Sequence, residues 1–124
     1  MTDQQCLLEL ERKFWTEGET FYRRSVDSEC LMAFPQTAAV LSNPEIAASV
    51  RAGSRWRDVE IWPRGMIEPT KGFVIISYRA RAIRPDGEMY DVLASTGYVR
   101  RDGTWKLAFH QRTPVEQAAT MYQG

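Results

Sequence analysis

The segment AFHQRTP, residues 108–114, holds the chain's single histidine, His110, and an arginine two positions later, Arg112. An imidazole titrates near neutral pH and can act as a general acid or base. Side chains two residues apart on a strand share a face, so Arg112 would stand beside His110 and could hold an anionic group. We predict His110 as the candidate catalytic residue. A histidine that only satisfies hydrogen bonds at a sheet edge or dimer seam is the alternative.

Aromatic side chains form a second candidate group. Tyr78, Tyr90 and Tyr98 lie in strand-like segments, where their hydroxyl groups could orient a carbonyl or an enolate. Four tryptophans, among them Trp15, add apolar surface of the kind that lines ligand cavities. Packing in a core is the simpler interpretation of each tryptophan taken alone. Together these residues indicate a mostly apolar or aromatic ligand.

Length and charge limit the classes of protein to consider. The chain has 124 residues, which predicts a single domain over residues 1–124, with a core over about 3–115 and a tail over 116–124. Sixteen Lys and Arg residues balance sixteen Asp and Glu residues, which disfavours a nucleic-acid partner. Signal-peptide and membrane-span patterns are missing, and Cys6 and Cys30 lack metal-site spacing. We expect a cytoplasmic protein with free thiols, no membrane contact, no metal and no cofactor.

The first half of the chain predicts two helices and a small strand pair. Thr2 with Gln5 can form a capping box for a helix that is interrupted near Gly18 and resumes to about Arg24. Residues 29–35 read as a short strand, and residues 38–42 can pair with it. A second helix should begin at Pro44 and stop at Gly53.

The second half predicts a four-stranded antiparallel meander, so the chain has α+β order. We expect three-residue loops at 85–87 and 101–103, whereas two-residue turns at each Asp-Gly would shift the facing by one residue. The preferred register gives an inner face with Val74, Ile76, Tyr78, Ala80, Ala82, Tyr90, Val92, Ala94, Thr96, Tyr98, Ala108, His110 and Arg112. The opposite face would then carry Trp105, Leu107 and Phe109, and a homodimer through this outer face would cover them.

Several motifs carry a resemblance to a known family. Gly103-Thr104-Trp105 opens the last strand and a histidine lies near its end, while Tyr78 stands in SYRA and Tyr98 in STGYVRRDGTW. With FHQRTP, these segments resemble the nuclear transport factor 2-like superfamily, in its SnoaL-like and ketosteroid-isomerase-like branch. The resemblance implies a cone-shaped, cystatin-like α+β fold. In it, N-terminal helices pack in a strongly curved antiparallel sheet around a cavity, commonly in a dimer.

The resemblance transfers unevenly to the site. The two carboxylates of the isomerase branch match positions near Met32–Phe34 and at Thr96, neither of which is acidic. The isomerase tyrosine matches Trp15 or Tyr22. In the cyclase branch, His110 would be the catalytic histidine, with Asp58 or Asp91 as its acid. The predicted ligand-pocket residues are Trp15, Tyr22, Phe34, Tyr78, Tyr90, Thr96, Tyr98 and Arg112.

Two functions follow as predictions. The first is binding of a small, mostly apolar ligand in the cone cavity, with isomerase, cyclase or hydrolase-type acid–base activity as a further option. The alternative is a non-catalytic dimeric binding or scaffold module whose cavity is plugged, with Trp15 and Phe34 as the plugging side chains. Fold alone does not choose between them.

Overall fold

The computed structural model describes residues 2–35, 39–42, 44–52 and 55–115. The described residues form three helices, α1 (Asp3–Thr16), α2 (Glu19–Ser25) and α3 (Glu45–Ala52). The six strands are β1 (Val26–Phe34), β2 (Ala39–Ser42), β3 (Asp58–Thr70), β4 (Phe73–Ile83), β5 (Met89–Arg101) and β6 (Thr104–Pro114). The predicted helix stop at Gly53 and the predicted tail at 116–124 lie outside the described residues.

The strands form one curved, open sheet in the order β2-β1-β6-β5-β4-β3, with the helices packed on it. This confirms the α+β prediction. The sheet is mixed rather than wholly antiparallel, because β1 lies parallel to β6 while every other neighbouring pair is antiparallel. No hairpin joins β1 to β6, so no turn forces them to run in opposite directions. No helix among the described residues is long and apolar enough to cross a membrane.

The first helix begins where its sequence predicts. The Thr2 hydroxyl accepts from the Gln5 backbone N–H at 3.2 Å, and the Gln5 side chain accepts from the Thr2 backbone N–H at 2.9 Å. Gly18 has an extended backbone and opens α2. The buried side of α1 presents Leu7, Glu11, Phe14 and Trp15 to the sheet. A carboxylate therefore lies within the apolar stripe of the helix.

The two Asp-Gly loops of the meander, between β4 and β5 and between β5 and β6, differ in length. Arg84 and Glu88 flank a three-residue loop, in which the Gly87 N–H donates to the Arg84 carbonyl at 2.8 Å and Gly87 has φ 93°. The second loop was predicted wrongly. Arg101 pairs with Thr104, so the loop is Asp102-Gly103, with φ 50° and 80°. Two successive positive φ values define the turn that matches the twist of a tight hairpin.

A β-bulge in β6 brings His110 back to the inner side of the sheet. Gly97 pairs with Phe109 and Tyr98 pairs with Leu107, so Ala108 has no directly opposed partner on β5. Trp105 and Leu107 were predicted on the outer face, but they lie in the core with 9% and 1% exposure. The shorter loop moves them inward, and the extra residue in the strand reverses the facing again. His110 therefore still points inward, as predicted.

We expect Leu107→Ala to lower the free energy of unfolding by about 2–5 kcal/mol, because it leaves a cavity in a filled core. The same change at Leu31, which is 53% exposed on the neighbouring strand β1, should alter stability by about 0.5 kcal/mol or less. Chemical denaturation of both variants and the wild type measures the difference. Equal losses from the two substitutions would contradict the inward facing of Leu107.

Candidate functional site

A buried carboxylate occupies the middle of the helix–sheet interface. Glu11 on α1 is fully buried, and three hydroxyl groups from the sheet reach it. The Tyr78 hydroxyl donates to Oε1 at 2.5 Å, the Thr96 hydroxyl to Oε1 at 2.7 Å, and the Tyr98 hydroxyl to Oε2. These donors satisfy a charge that would otherwise be costly in an apolar core.

His110 extends this network toward the surface. Its Nδ1 lies 2.7 Å from the Thr96 hydroxyl, and its Nε2 lies 3.3 Å and 3.2 Å from Nε and Nη2 of Arg112. With Glu11 ionised, the Thr96 hydroxyl gives its one proton to the carboxylate and therefore accepts from His110 Nδ1–H. His110 is then neutral and accepts from Arg112 at Nε2. We call this series of hydrogen-bonded side chains, Arg112–His110–Thr96–Glu11, the relay.

Aromatic rings fix the outer end of the relay. The guanidinium carbon of Arg112 lies 3.9 Å from the centre of the Trp15 ring and 5.0 Å from that of Phe34. Both are distances at which a cation is attracted by a ring face. The Trp15 indole in turn donates to the Tyr78 hydroxyl at 3.1 Å. Arg112 is thus held by its stacking and by its hydrogen bonds at the same time.

Burial governs the ionisation of these groups. It raises the pKa of Glu11, and the three hydroxyl donors and the Arg112 charge offset only part of that effect. It also holds the pKa of His110 well below 6.5, with the nearby Arg112 cation acting in the same direction. The pKa of Tyr78 and that of Tyr98 rise through burial and through the charge of Glu11. Neutral His110 and undissociated tyrosines are therefore the forms that the site favours.

A cavity of about 130 Å³ opens beyond Arg112, and we call it the mouth cavity. Five of its nine lining residues are apolar and come from β1, β2 and α3: Met32, Phe34, Leu41, Ile46 and Val50. Its polar groups belong to Tyr22, Ser49, Arg55 and Arg112. An apolar wall with a few convergent polar groups is typical of small-molecule sites.

On the side of Arg112 that faces His110, the interior is filled by side chains. The space beside His110 measures only about 10 Å³ and is bounded by Phe14, Trp15, Tyr22, Met32, Leu107, His110 and Arg112. That volume barely reaches what one water molecule needs. The side of Arg112 that faces His110 therefore has no room for a ligand unless these side chains move. Trp15 and Phe34, the predicted plug, lie on the inner and outer sides of Arg112 respectively.

Arg55 supports the other side of the mouth cavity. Its Nη2 donates to the carbonyls of Phe14 and Trp15 at 2.6 Å and 2.8 Å, and its Nε donates to that of Glu17 at 2.7 Å. These are carbonyls at the end of α1, which have no partner within the helix. The Tyr22 hydroxyl donates to the same Phe14 carbonyl. Arg55 therefore joins the end of α1 to the cavity wall.

The structure divides the predicted site residues into three groups. Trp15, Tyr22, Phe34, His110 and Arg112 meet around the mouth cavity and the small space behind it. Tyr78, Thr96 and Tyr98 instead surround Glu11, with their hydroxyl groups directed at its carboxylate. Tyr90 lies apart and stacks on Trp56 at 5.5 Å between ring centres.

Among the described residues, the carboxylate that the structure places beside His110 is one that the sequence did not single out. Glu11 Oε1 lies 3.9 Å from His110 Nδ1, whereas Asp91 pairs with Arg81 on the outer face and Asp58 lies near Arg12. The cyclase-type partners Asp58 and Asp91 are therefore not beside the histidine. The sequence feature that could have identified Glu11 is its position in the apolar stripe of the helix, four residues after Leu7 and three before Phe14.

Cysteines and metal ligands add little to the site. Cys6 is exposed and Cys30 is buried, and both are free thiols. Burial, helped by the charge of Asp27, raises the pKa of Cys30 to about 12. Across the described segments, no three His, Cys, Asp or Glu side chains stand close enough together to hold a metal ion.

Solved structures similar to this chain share its architecture. A nuclear transport factor 2-like protein of unknown function from Prochlorococcus marinus is 16% identical, with a TM-score of 0.77 over 98% of this chain and 100% of its own. A candidate ketosteroid isomerase from Parabacteroides distasonis is 9% identical, with a TM-score of 0.78 over 94% and 91%. An uncharacterised cystatin-like protein from Caulobacter vibrioides is 13% identical, with a TM-score of 0.70 over 96% and 92%.

The chain therefore has the nuclear transport factor 2-like fold, and the resemblance inferred from its sequence is confirmed at that level. At these low identities the likeness establishes the fold and no activity. No known family model matches the chain, and no curated protein sequence does. Function must be argued from the site itself.

We expect stability to fall at acid pH because of His110. Below its ordinary pKa of 6.5 the unfolded chain takes up a proton that the buried imidazole, with its lowered pKa, does not. For each pH unit below 6.5, the unfolding free energy of the wild type should therefore fall by up to about 1.4 kcal/mol more than that of His110→Gln. Glu11, whose raised pKa acts with the opposite sign, is present in both proteins. Denaturation curves at several pH values test this, and parallel profiles would contradict it.

Proposed function

We propose that this protein binds a small, mostly apolar molecule in the mouth cavity. The observation that carries the proposal is the cavity itself, about 130 Å³ with five apolar lining side chains and the Arg112 guanidinium at its inner end. A cavity of about 150 Å³ is enough for a molecule of the size of benzene. The ligand would therefore have roughly that size, or would extend outward beyond the cavity.

The relay supports a positioning role for His110 in this function. Both ring nitrogens have partners within the protein, and Arg112 rather than His110 lines the mouth cavity. The neutral imidazole accepts hydrogen bonds from Arg112 and so keeps the guanidinium plane fixed. Direct acid–base catalysis by His110, in an isomerase, cyclase or hydrolase reaction, stays a prediction. It would require Arg112 to move from Nε2.

One observation favours the alternative, a binding or scaffold module without catalysis. The interior next to His110 is closed by packed side chains, with about 10 Å³ of free space. The hydroxyl groups of Tyr78 and Tyr98 are already used by Glu11. In this alternative the relay serves the stability of the fold, and the mouth cavity is a surface depression without a ligand.

A homodimer through the outer face remains part of the proposal. The outer face is the side of β4, β5 and β6 that points away from the helices. It exposes 51% of Leu93 and 39% of Phe109, and Leu31 beside Phe109 is 53% exposed. The inward turn of Trp105 and Leu107 makes this patch smaller than the sequence indicated. A cytoplasmic location likewise stays a prediction from the sequence.

Filling the mouth cavity should abolish ligand binding. Ser49 and Ala48 are neighbouring exposed residues of α3, but only Ser49 lines the cavity. We expect Ser49→Trp to remove the saturable binding of small apolar probes such as toluene or indole, measured by ligand-observed NMR. Ala48→Trp adds the same bulk outside the cavity and should leave binding intact. Probe binding that survives in Ser49→Trp would place the ligand elsewhere.

The dimer can be tested by introducing one charged side chain into the outer face. Phe109→Glu would bury an unpaired carboxylate in an interface formed by the outer face, so we expect a monomer by light scattering where the wild type is a dimer. Ala48→Glu introduces the same charge on α3 and should not change the mass. A wild-type monomer at micromolar concentration, or a Phe109→Glu dimer, would count against this interface.

A further inference from the structure

Two guanidinium groups that form no direct ion pair with a carboxylate of the described residues line the mouth cavity. Arg55 and Arg112 both line it, and neither forms an ion pair with a carboxylate in the part of the chain that the structure describes. The other polar lining groups are the hydroxyls of Tyr22 and Ser49, which carry no charge. Charges in an apolar setting are normally neutralised by a partner. The wall thus has the electrostatic character of an anion site.

The geometry of Arg112 shows where an anion would bind. Its Nε and Nη2 form one edge of the guanidinium plane, and both point to His110 Nε2 at 3.3 Å and 3.2 Å. Nη1 has no hydrogen-bond partner among the described residues. The second edge of the plane, Nη1 with the remaining N–H of Nη2, is therefore available. Two parallel N–H groups of this kind match the two oxygens of a carboxylate.

The charge balance favours an anion with a single charge. Glu11, when ionised, offsets one of the two guanidinium charges through the relay, although it lies behind Thr96 and His110. One positive charge is then left for the ligand to neutralise. Burial lowers the pKa of Arg112, which agrees with a guanidinium that has lost much of its water. A neighbouring anion would compensate that loss.

We propose that the ligand is a small monocarboxylate, whose acid group binds the Nη1–Nη2 edge of Arg112 and whose apolar body packs against Phe34, Ile46 and Val50. This inference rests on the proposed function and adds the chemical class of the ligand. The volume of about 130 Å³ suits a body of about four to six carbons. The fixed plane of Arg112, stacked on Trp15, reduces the entropy lost when the acid binds.

The test compares acids with neutral molecules of the same shape. Pentanoate and pentanamide, and benzoate and benzamide, are titrated into the wild-type protein at neutral pH, with binding followed by NMR chemical shifts and thermal stability. We expect each acid to bind at least about tenfold more tightly than its amide, since a hydrogen-bonded charge pair contributes that much. Arg112→Gln should remove this preference. Arg79→Gln makes the same charge change on the outer face and should keep it.

The outcomes separate this inference from the proposed function. Equal binding of acids and amides to the wild type would overturn the monocarboxylate and leave the apolar site standing. No saturable binding of acids, amides or apolar probes would overturn both. The comparison of acid and amide binding to the wild type tests the monocarboxylate proposal even if Arg112→Gln fails to fold. Acid binding that persists in Arg112→Gln and is lost in Arg79→Gln would place the acid on the outer face. Tighter binding of inorganic phosphate than of pentanoate would reject the proposed ligand class.

Discussion

The burial of Glu11 is the constraint on which the other features of this interior depend. Its carboxylate needs donors, and the sheet supplies them from β4 with Tyr78 and from β5 with Thr96 and Tyr98. Removing a single donor would leave a buried acceptor short of partners, so these positions are coupled to one another. The relay then carries the coupling to β6. One side chain of α1 is thereby connected by hydrogen bonds to three neighbouring strands.

A polar interior of this kind is a weak source of stability and a strong source of specificity for one arrangement. Apolar residues of similar volume would pack as well and avoid the cost of desolvating a carboxylate. What they would not do is hold Arg112 in one plane at the inner end of a cavity. Trp15 fixes the face of that guanidinium, and His110 fixes one of its edges. The organisation of the interior therefore agrees better with a binding surface than with a core selected for stability alone.

The sequence predicted the elements better than it predicted the site. The capping box at Thr2, the break at Gly18 and the alternation in β4 depend on local preferences, and these act over a few residues. The predicted length of the loop between β5 and β6 was wrong because Asp-Gly suits two loop lengths and Arg101 does not distinguish them. The bulge at Ala108 has no mark in the sequence, and it became visible only in the pairing with β5. Glu11 and Arg55 were missed because their roles depend on partners more than 30 residues away.

The bulge at Ala108 has a consequence for how this strand can vary. It divides β6 into two segments whose phases are independent, one ending at Leu107 in the core and one beginning at Phe109. Without the bulge, at the same chain length, Ala108 would pair with Gly97 and Phe109 with Thr96, which would turn His110 and Arg112 to the outside while Trp105 and Leu107 stayed in place. The fold would keep the core around Trp105 and Leu107 and lose Arg112 from the lining of the cavity in a single step. One bulge in one strand therefore decides which side chains of β6 an otherwise unchanged architecture presents to its interior.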